Sequence, residues 1–336
     1  MQEKNQKDSF IHLDPELVLE ATESAGLQPT GEFTQLNSYE NRVFDIRLEQ
    51  ATPSSTAADL TSLVPRVIAK FYRPGRWSKD CILEEHRFLQ NLQLEGLHVA
   101  APLVQKNGST LATHKEMHVA FFPKIAGRMP QEFTATDLEQ VGRQLALLHN
   151  VGAKTEFKFR PILGETPHDP WSNLDFLVPW IAPEMKQRYV AVAEELFSAL
   201  QENIDFGSFQ PVHGDCHRGN LLHSGKSGPE GLFFFVDFDD CMQGPVVQDL
   251  WMLFSSLDYE VEKNSLMKGY ETLREFPHEQ WSWIPLLRGL RIVNYAAWIA
   301  RRWSDPSFPR LFPLFKDYNY RAEEVEALEK IVWSFN

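Results

Sequence analysis

The chain has 336 residues, 43% of them apolar, with 24 Phe and 9 Trp, enough for one large domain or two lobes around a sizeable core. Its formal charge of −13 argues against nucleic acid or an anionic membrane as the main partner and suits a basic or metal-bound ligand better. Three widely spaced cysteines, Cys81, Cys216 and Cys241, make neither a disulfide framework nor a zinc set, no apolar run approaches the roughly 18 residues of a membrane span, and the start MQEKNQKDSF carries no leader signature, so a cytoplasmic protein is expected.

In chain order, DPELVLEATESAGL (14–27) reads as a short amphipathic helix with Asp14 as N-cap, Pro15 in the first turn and Gly26 near the stop. GEFTQLNSYENRVFDIRL (31–48) reads as two strands around a polar turn, and EQATPSSTAADLTS (49–62) as a polar, mobile loop. RVIAKFY (66–72) is a β-rich strand ended by Arg73-Pro74-Gly75. SKDCILEEHRFLQNL (78–92) has helical spacing, with Ser78 as cap and Ile82, Leu89 and Leu92 able to share a face. EMHVAFFPKI (116–125) reads as a buried strand that ends at Pro123. From 134 the pattern is helical: 134–152, 186–203, VQDLWMLFSSL (247–257), LMKGYETLREF (266–276) and IPLLRGLRIVNYAAWIARRW (284–303). The expected fold is α+β and bilobal, with a small β-rich lobe over 1–125, a linker near 124–133 and a larger helical lobe over 126–336.

Within the helical half, PVHGDCHRGNLL (211–222) sets Asp215 and Asn220 five positions apart in a loop. SGKSGPEG (224–231) then reads as a turn and LFFFV (232–236) as a strand, so a hairpin-like return brings Asp237 back beside Asp215 and Asn220. Carboxylate and amide oxygens suit a hard cation such as Mg²⁺, which keeps waters and leans on phosphate oxygens. Without a cation, Asp215, Asp237, Asp239 and Asp240 would crowd like charges together. Phosphoryl transfer needs a cation on the phosphates, a lysine to hold them and a carboxylate to orient the attacking hydroxyl. Lys70, mid-strand in an apolar context, is the candidate lysine, and its ammonium needs a partner. Glu84 or Glu85 can supply it. Glu85 is favoured because Phe88, Leu89 and Leu92 then take the packing positions, but sequence does not separate the two. Plainer readings stand beside these. Asp239 and Asp240 read as solvated or structural rather than ligands, His213 as a packing residue that orients its loop, and Ser38 as a turn residue. His213, His217 and Cys216 are too few for zinc.

The set VIAK, LEEH, HGDxxxxN and VDFDD resembles the kinase-like phosphotransferases of the aminoglycoside and choline kinase type. Over nearly the full chain, QLNSYENRVF, VIAKFYRPGRWS, ILEEH, HGDCHRGNLL, FVDFDD, GPVVQDLWML and RRWSDPSFPRLFP are similar to the bacterial YihE-type stress-response kinases, the SrkA/RdoA family. That resemblance implies a bilobal protein-kinase-like fold, ATP and Mg²⁺ as cofactors, and transfer to a serine or threonine of a protein, the enzyme itself included. It implies Asp215 as catalytic base, Asn220 and Asp237 as metal ligands, and Lys70 with Glu85 as the phosphate-holding pair. Ser38 falls in the nucleotide-covering turn, Phe122 to Ile125 at the hinge offering backbone groups to adenine, and Asp249 at a helix start that buttresses the catalytic loop. Three features depart from the eukaryotic pattern. No G-x-G-x-x-G occurs in 31–45, the third position after Asp237 is Asp240 and not glycine, and no A-P-E follows. Phosphates would then rest on backbone N–H groups of NSYEN and on Ser38, and activation-loop phosphorylation has no support.

Two rivals remain at this stage. One is a small-molecule kinase acting on an alcohol such as choline or an aminoglycoside, which the acidic balance favours. The other is a catalytically silent nucleotide-binding scaffold, which has no need of Lys70, Asp215, Asn220 and Asp237 together. A monomer is expected. Cys216 and Cys241 flank the candidate aspartates, so oxidation is one reading of them and small buried filler the plainer one.

Overall fold

The structure, a computed structural model, describes residues 10, 12–50, 65–225, 231–255 and 259–335. The loop expected over 49–62, the turn over 224–231 and the end of the helix expected over 247–257 fall largely or partly outside the described residues. The chain divides into two compact units, neither contiguous. One takes Met1–Arg160, His213–Cys241 and Met252–Phe276; the other takes Pro161–Val212, Met242–Trp251 and Pro277–Asn336. The expected division at 125 sorts residues by type of secondary structure, whereas compactness joins the loop that carries Asp215 and Asp237 to the sheet that carries Lys70.

The first unit begins with α1 (Pro15–Ser24), whose N-cap Asp14 accepts the Leu17 N–H at 2.8 Å. A five-stranded antiparallel sheet follows, of β1 (Pro29–Leu36), β2 (Arg42–Leu48), β3 (Arg66–Phe71), β4 (Ala112–His114) and β5 (Met117–Pro123), in the order β1-β2-β3-β5-β4. Strand side chains alternate between faces. Phe44, Ile46, Val67, Ala69, Phe71, Val119 and Phe121 share one face and bury it against Leu17, Val18 and Ala21 of α1. Lys70 therefore belongs to the opposite face, in register with Val43 of β2 and Ala120 of β5. Helix α2 (Lys79–Leu94) is capped by Ser78, which accepts the Cys81 N–H at 3.2 Å.

Helix α3 (Ala135–Gly152) opens with a capping box between Thr134 and Asp137 and packs on α6 (Tyr259–Tyr270). Their backbones approach closely at two glycines. A Cβ on Gly142 would lie 2.0 Å from the Leu266 carbonyl oxygen, and one on Gly269 would lie 1.8 Å from that of Glu139. His149 and the Tyr270 hydroxyl bond at 2.9 Å beside this contact.

The second unit contains α4 (Pro170–Leu177), α5 (Pro183–Asn203), α7 (Ile284–Arg301), α8 (Ser307–Leu311) and α9 (Tyr318–Trp333). It also holds the strand pair β6 (Gln210–Val212) and β9 (Met242–Gly244). No described helix is long and apolar enough to cross a membrane.

Two expected helices differ. Residues 247–255 form two 3₁₀ turns, Val246–Asp249 and Trp251–Leu253, so Asp249 ends a turn rather than starting a helix. Val246, Val247, Gln248 and Asp249 are all buried, so the segment has no polar face and helical periodicity was not a guide to it. The helix expected over 266–276 begins at Tyr259 and stops at Tyr270. Its buried residues, Leu266, Met267, Gly269 and Tyr270, occupy only the last turn, which is why the pattern became visible only there.

The glycine contacts generate a prediction. Gly142→Ala or Gly269→Ala forces a methyl into a facing backbone carbonyl, and each should cost about 3 kcal/mol, the upper end for overpacking. Thermal or urea unfolding of the two variants measures it, and wild-type stability in both would remove the close approach from the account.

Candidate active site

The site starts from Lys70. Its side chain is only 9% exposed, and its Nζ lies 2.9 Å from Asp239 Oδ1, 3.5 Å from Glu85 Oε1 and 3.6 Å from Asp237 Oδ1. Burial by itself would strip the ammonium of its proton, but the charges of Asp239 and Glu85 outweigh it and hold the Lys70 pKa well above the ordinary value. Asp239 is driven the other way. Its burial is overcome by Lys70, Arg76 and Arg160, and it stays ionised below the usual carboxylate range. Burial raises the Glu85 carboxyl against the pull of Lys70.

The adjacent glutamates take separate tasks. Glu85 faces Lys70. Glu84 accepts backbone N–H groups from Lys158 at 2.8 Å and from Phe159 and Arg160 at 2.7 Å each, so it anchors a loop and does not serve the lysine. The ambiguity between them is thereby resolved for Glu85.

The second half of the site is a hairpin. β7 (Leu221–His223) pairs antiparallel with β8 (Phe233–Phe235), Leu221 opposite Phe235. The Val236 N–H donates to the Asn220 carbonyl at 3.0 Å, which brings Asn220 level with the residue before Asp237. His213 Nε2 donates to the Val236 carbonyl at 3.0 Å and stacks 4.3 Å from Phe238, the orienting role expected of it. Gly214 takes φ 84°, a turn that a side chain would strain, immediately before Asp215. Asn220 Nδ2 donates to the Asp215 carbonyl at 2.9 Å. His217 Nδ1 accepts the Gly219 N–H at 2.9 Å, so the ring proton is assigned to Nε2, which faces Asp215 Oδ2 at 3.5 Å. Asp237 itself sits in the left-handed region at φ 62°, a conformation Asp tolerates better than most residues.

These residues fit a divalent cation. Because the Asn220 nitrogen is committed to the Asp215 carbonyl, its Oδ1 is the amide atom that could act as a ligand. The side chain of Asp237 is 56% exposed. Its carboxyl is nevertheless held above the usual range, first by partial loss of water and then, against Lys70, by the negative charges of Asp239, Asp240 and Asp215. A carboxylate crowded by like charges is where a cation relieves most energy. Among the described residues no three His, Cys, Asp or Glu side chains converge as a metal cage. A cation here would therefore take few protein ligands and complete its shell from phosphate and water, the usual habit of Mg²⁺.

Asp239 and Asp240 are structural rather than solvated: Arg76 pairs with both, its Nη1 with Asp239 and its Nη2 with Asp240. Arg76 also lies 3.5 Å from Glu40, and Arg73 Nε pairs with Glu40 Oε1 at 3.0 Å while the Arg73 N–H donates to Asn41 Oδ1 at 3.1 Å. These contacts anchor the β1–β2 loop, in which Ser38 is half-buried. Phe122, in β5 opposite Ile68, packs its ring at right angles to that of His86, 6.0 Å between centroids. Ile125 is half-buried just beyond the strand end. The three cysteines are buried, and burial pushes the Cys241 thiol up, which favours filler over a redox role. Sequence reasoning missed Arg76, Arg160, Glu84 as an anchor, and the contact of His217 with Asp215. Only RPGRWS, already part of the resemblance, carried a signal for Arg76.

His86 supplies a pH test. It is buried between the Tyr72 hydroxyl at 2.9 Å and Thr110 Oγ1 at 2.8 Å. Burial first, then the positive charges of Lys70 and Arg160, push it down to about 3. The unfolded chain therefore takes up a proton near pH 6.5 that the folded chain refuses, and stability falls with pH from there towards 3. Between pH 6.5 and 5 the loss from this group is about 2 kcal/mol. Denaturant unfolding of wild type and His86→Gln at both pH values should show the variant less pH-sensitive by that amount, and equal slopes would refute the assignment.

Comparison with known proteins places the chain in a family. The profile of the phosphotransferase enzyme family (APH) matches residues 32–282. Stress response kinase A of Salmonella choleraesuis (strain SC-B67) is 37% identical over 317 residues, covering 93% of this chain and 90% of that protein. Its counterpart in Escherichia coli (strain K12) is 35% identical over 321 residues, covering 94% and 92%. A Salmonella typhimurium relative, 37% identical over 317 residues, with 93% of this chain and 90% of that protein covered, is called serine/threonine protein kinase RdoA. Among solved structures, amicoumacin kinase hAmiN in complex with AMP-PNP, Ca²⁺ and Ami has a TM-score of 0.73 at 17% identity over 98% of this chain and 96% of that one. A microcompartment-associated aminopropanol kinase has a TM-score of 0.69 at 18% identity over 95% of each chain. At such identities the likeness is one of fold, the α+β bilobal kinase-like fold with an antiparallel sheet in one lobe and helices in the other. Near-full-length identity with the named kinases goes further: this chain is a kinase that belongs to the phosphotransferase enzyme family and, within it, to the stress response kinase A (RdoA) family.

Proposed function

We propose that the chain is an ATP- and Mg²⁺-dependent serine/threonine protein kinase that acts in a stress response. The observation that carries this reading is the meeting of a charged, buried Lys70 with the Asp215–Asn220–Asp237 hairpin, in a chain that matches serine/threonine protein kinase RdoA over 93% of its length. Asp215 orients the acceptor hydroxyl and takes its proton, with the His217 Nε2–H beside the carboxylate to hold it in place. Lys70 grips the nucleotide phosphates, kept charged and aimed by Asp239 and Glu85. Asn220 and Asp237 hold the cation, which neutralises phosphate charge when bound. Ser38 and its neighbours cover the phosphates, and the backbone from Phe122 to Ile125 receives adenine. On this reading residues 1–125 cover the nucleotide and 126–336 carry the catalytic and metal loops.

A second reading, a small-molecule kinase, is favoured by the chain's net charge of −13, which suits a cationic alcohol, and by solved structures such as the aminopropanol kinase that share the fold. Labelled ATP offered to a generic basic protein, to the enzyme itself, and to choline and aminoglycosides separates the two. The protein-kinase reading expects acid-stable, base-labile phosphate on serine or threonine. Turnover of a small alcohol at about 1 per second or faster with no protein labelled would give the second reading instead.

Asp215→Asn should nearly abolish transfer, by a factor of about 10³ or more, while ATP affinity stays close to wild type, because the carboxylate acts on the transition state. Parallel loss of binding and rate would count against that role. Asp237→Ala should lose the Mg²⁺-dependent part of ATP affinity, about tenfold or more. Calorimetric titration with and without Mg²⁺ measures it, and an undiminished Mg²⁺ effect would assign the ligand elsewhere.

A further inference from the structure

The loop that follows Asp237 is gripped from two sides by arginines that the proposed chemistry does not use. On one side Arg76 pairs with the side chains of Asp239 and Asp240. On the other, Arg160 holds the main chain: its Nε donates to the Cys241 carbonyl at 2.7 Å and its Nη2 to the Asp239 carbonyl at 2.5 Å. The Arg160 side chain is wholly buried, and its Nη1 lies 3.8 Å from Glu85 Oε2 and 3.6 Å from Cys81 Sγ, both on α2. Both guanidinium groups lie against the indole of Trp77, at 4.9 Å for Arg76 and 4.5 Å for Arg160. Trp77 thus packs two cations that grip one loop, which gives the RW of RPGRWS a task in the site.

Arg160 is itself placed by α2. The Glu84 carboxylate accepts the N–H groups of Lys158, Phe159 and Arg160, three charge-assisted bonds to three consecutive residues. The neighbouring glutamates of α2 therefore reach the same loop by two routes, Glu85 through Lys70 and Glu84 through Arg160. Swinging α2 away would break both routes and leave the buried carboxylates of Glu84 and Glu85 without their partners, which is strongly destabilising.

We propose that Arg160 is a positioning residue, which with Glu84 locks helix α2 to the Asp237–Cys241 loop and holds Asp237 in its left-handed conformation ready for a cation. The lock rests on the proposed role of Asp237 as a cation ligand. It ties α2 and the loop that carries Asp237 into one body. Arg160 touches main-chain carbonyls and not the reacting atoms, so its effect passes through Asp237.

Two variants read the lock from opposite ends. Arg160→Lys keeps a charge but loses the fork that spans two carbonyls. Glu84→Gln keeps the shape of the anchor and removes its charge. Each should lose about tenfold or more of the Mg²⁺-dependent gain in ATP affinity, while affinity for ATP in EDTA stays within about twofold, the pattern of a lost supporting contact around a metal ligand. In the protein free of nucleotide and metal, amide hydrogen exchange over residues 238–241 should quicken in both. Lower melting temperatures with wild-type Mg²⁺ gain and wild-type exchange would make the contacts merely structural and overturn the proposal. If Arg160→Lys does not fold, Glu84→Gln decides alone by the same two readouts. A wild type whose ATP affinity ignores Mg²⁺ would instead defeat the cation role of Asp237. The exchange measurement then still judges the lock, and unchanged exchange in both variants would defeat it as well.

Discussion

A lysine ammonium turned away from water on one face of a β-sheet is the constraint from which the rest of this site follows. Left alone, Lys70 would lose its proton or unfold the strand, because an uncompensated buried charge costs several kcal/mol. Asp239 and Glu85 answer that cost, and each then needs compensation of its own. Asp239 is shared with Arg76, and Glu85 faces Arg160 as well as Lys70. Arg160 lies 3.8 Å from Glu85 and gives its shorter hydrogen bonds to backbone carbonyls. One desolvation problem thus spreads through three cations and ends by fixing main chain, and the chain it fixes is the loop that carries Asp237.

What the sequence made legible is what depends on short-range geometry. The return of Asp237 to Asn220 needs only two three-residue strands paired antiparallel, and the register of Leu221 with Phe235 delivers it. The place of Lys70 in the middle of an apolar strand was legible too, and alternation along that strand turns it away from Val67, Ala69 and Phe71. What stayed hidden depends on partners far along the chain. Glu84 and Glu85 stand in the same helix before the same packing residues, and only the loop at 158–160 separates their tasks. Arg160, in KTEFKFRP, has no periodic context at all, and its role comes from carbonyls some 80 residues away. The buried turns at 246–253 and the charged start of α6 were misread for a related reason: neither carries an amphipathic stripe.

The absence of a glycine-rich loop in 31–45 also acquires a physical account. A glycine-rich loop approaches phosphates through backbone freedom. Here Glu40 and Asn41 tie the loop between β1 and β2 to Arg73 and Arg76 on the far side of β3, which positions backbone by charge and hydrogen bonds. The same Arg76 neutralises Asp239 and Asp240. The loop that would cover a nucleotide and the loop that would hold its cation therefore share one counter-ion.

That sharing bears on how a nucleotide could enter. Around the Asp237–Cys241 loop stand the carboxyl groups of Glu40, Glu85, Asp215, Asp237, Asp239 and Asp240, against the fixed cations Lys70, Arg73, Arg76 and Arg160. With all ionised, the acids exceed the bases by two charges, and burial with like charge nearby raises the carboxyls of Asp237 and Glu85. Phosphates arriving alone would deepen the excess and compete with Asp239 for Lys70. A divalent cation arriving with them would offset part of their charge on the side of the cluster where Asp237 is open to solvent, away from the buried Lys70–Asp239 pair. Charge balance thus makes phosphates costlier without a cation than with one, and it does so through residues that never touch the acceptor.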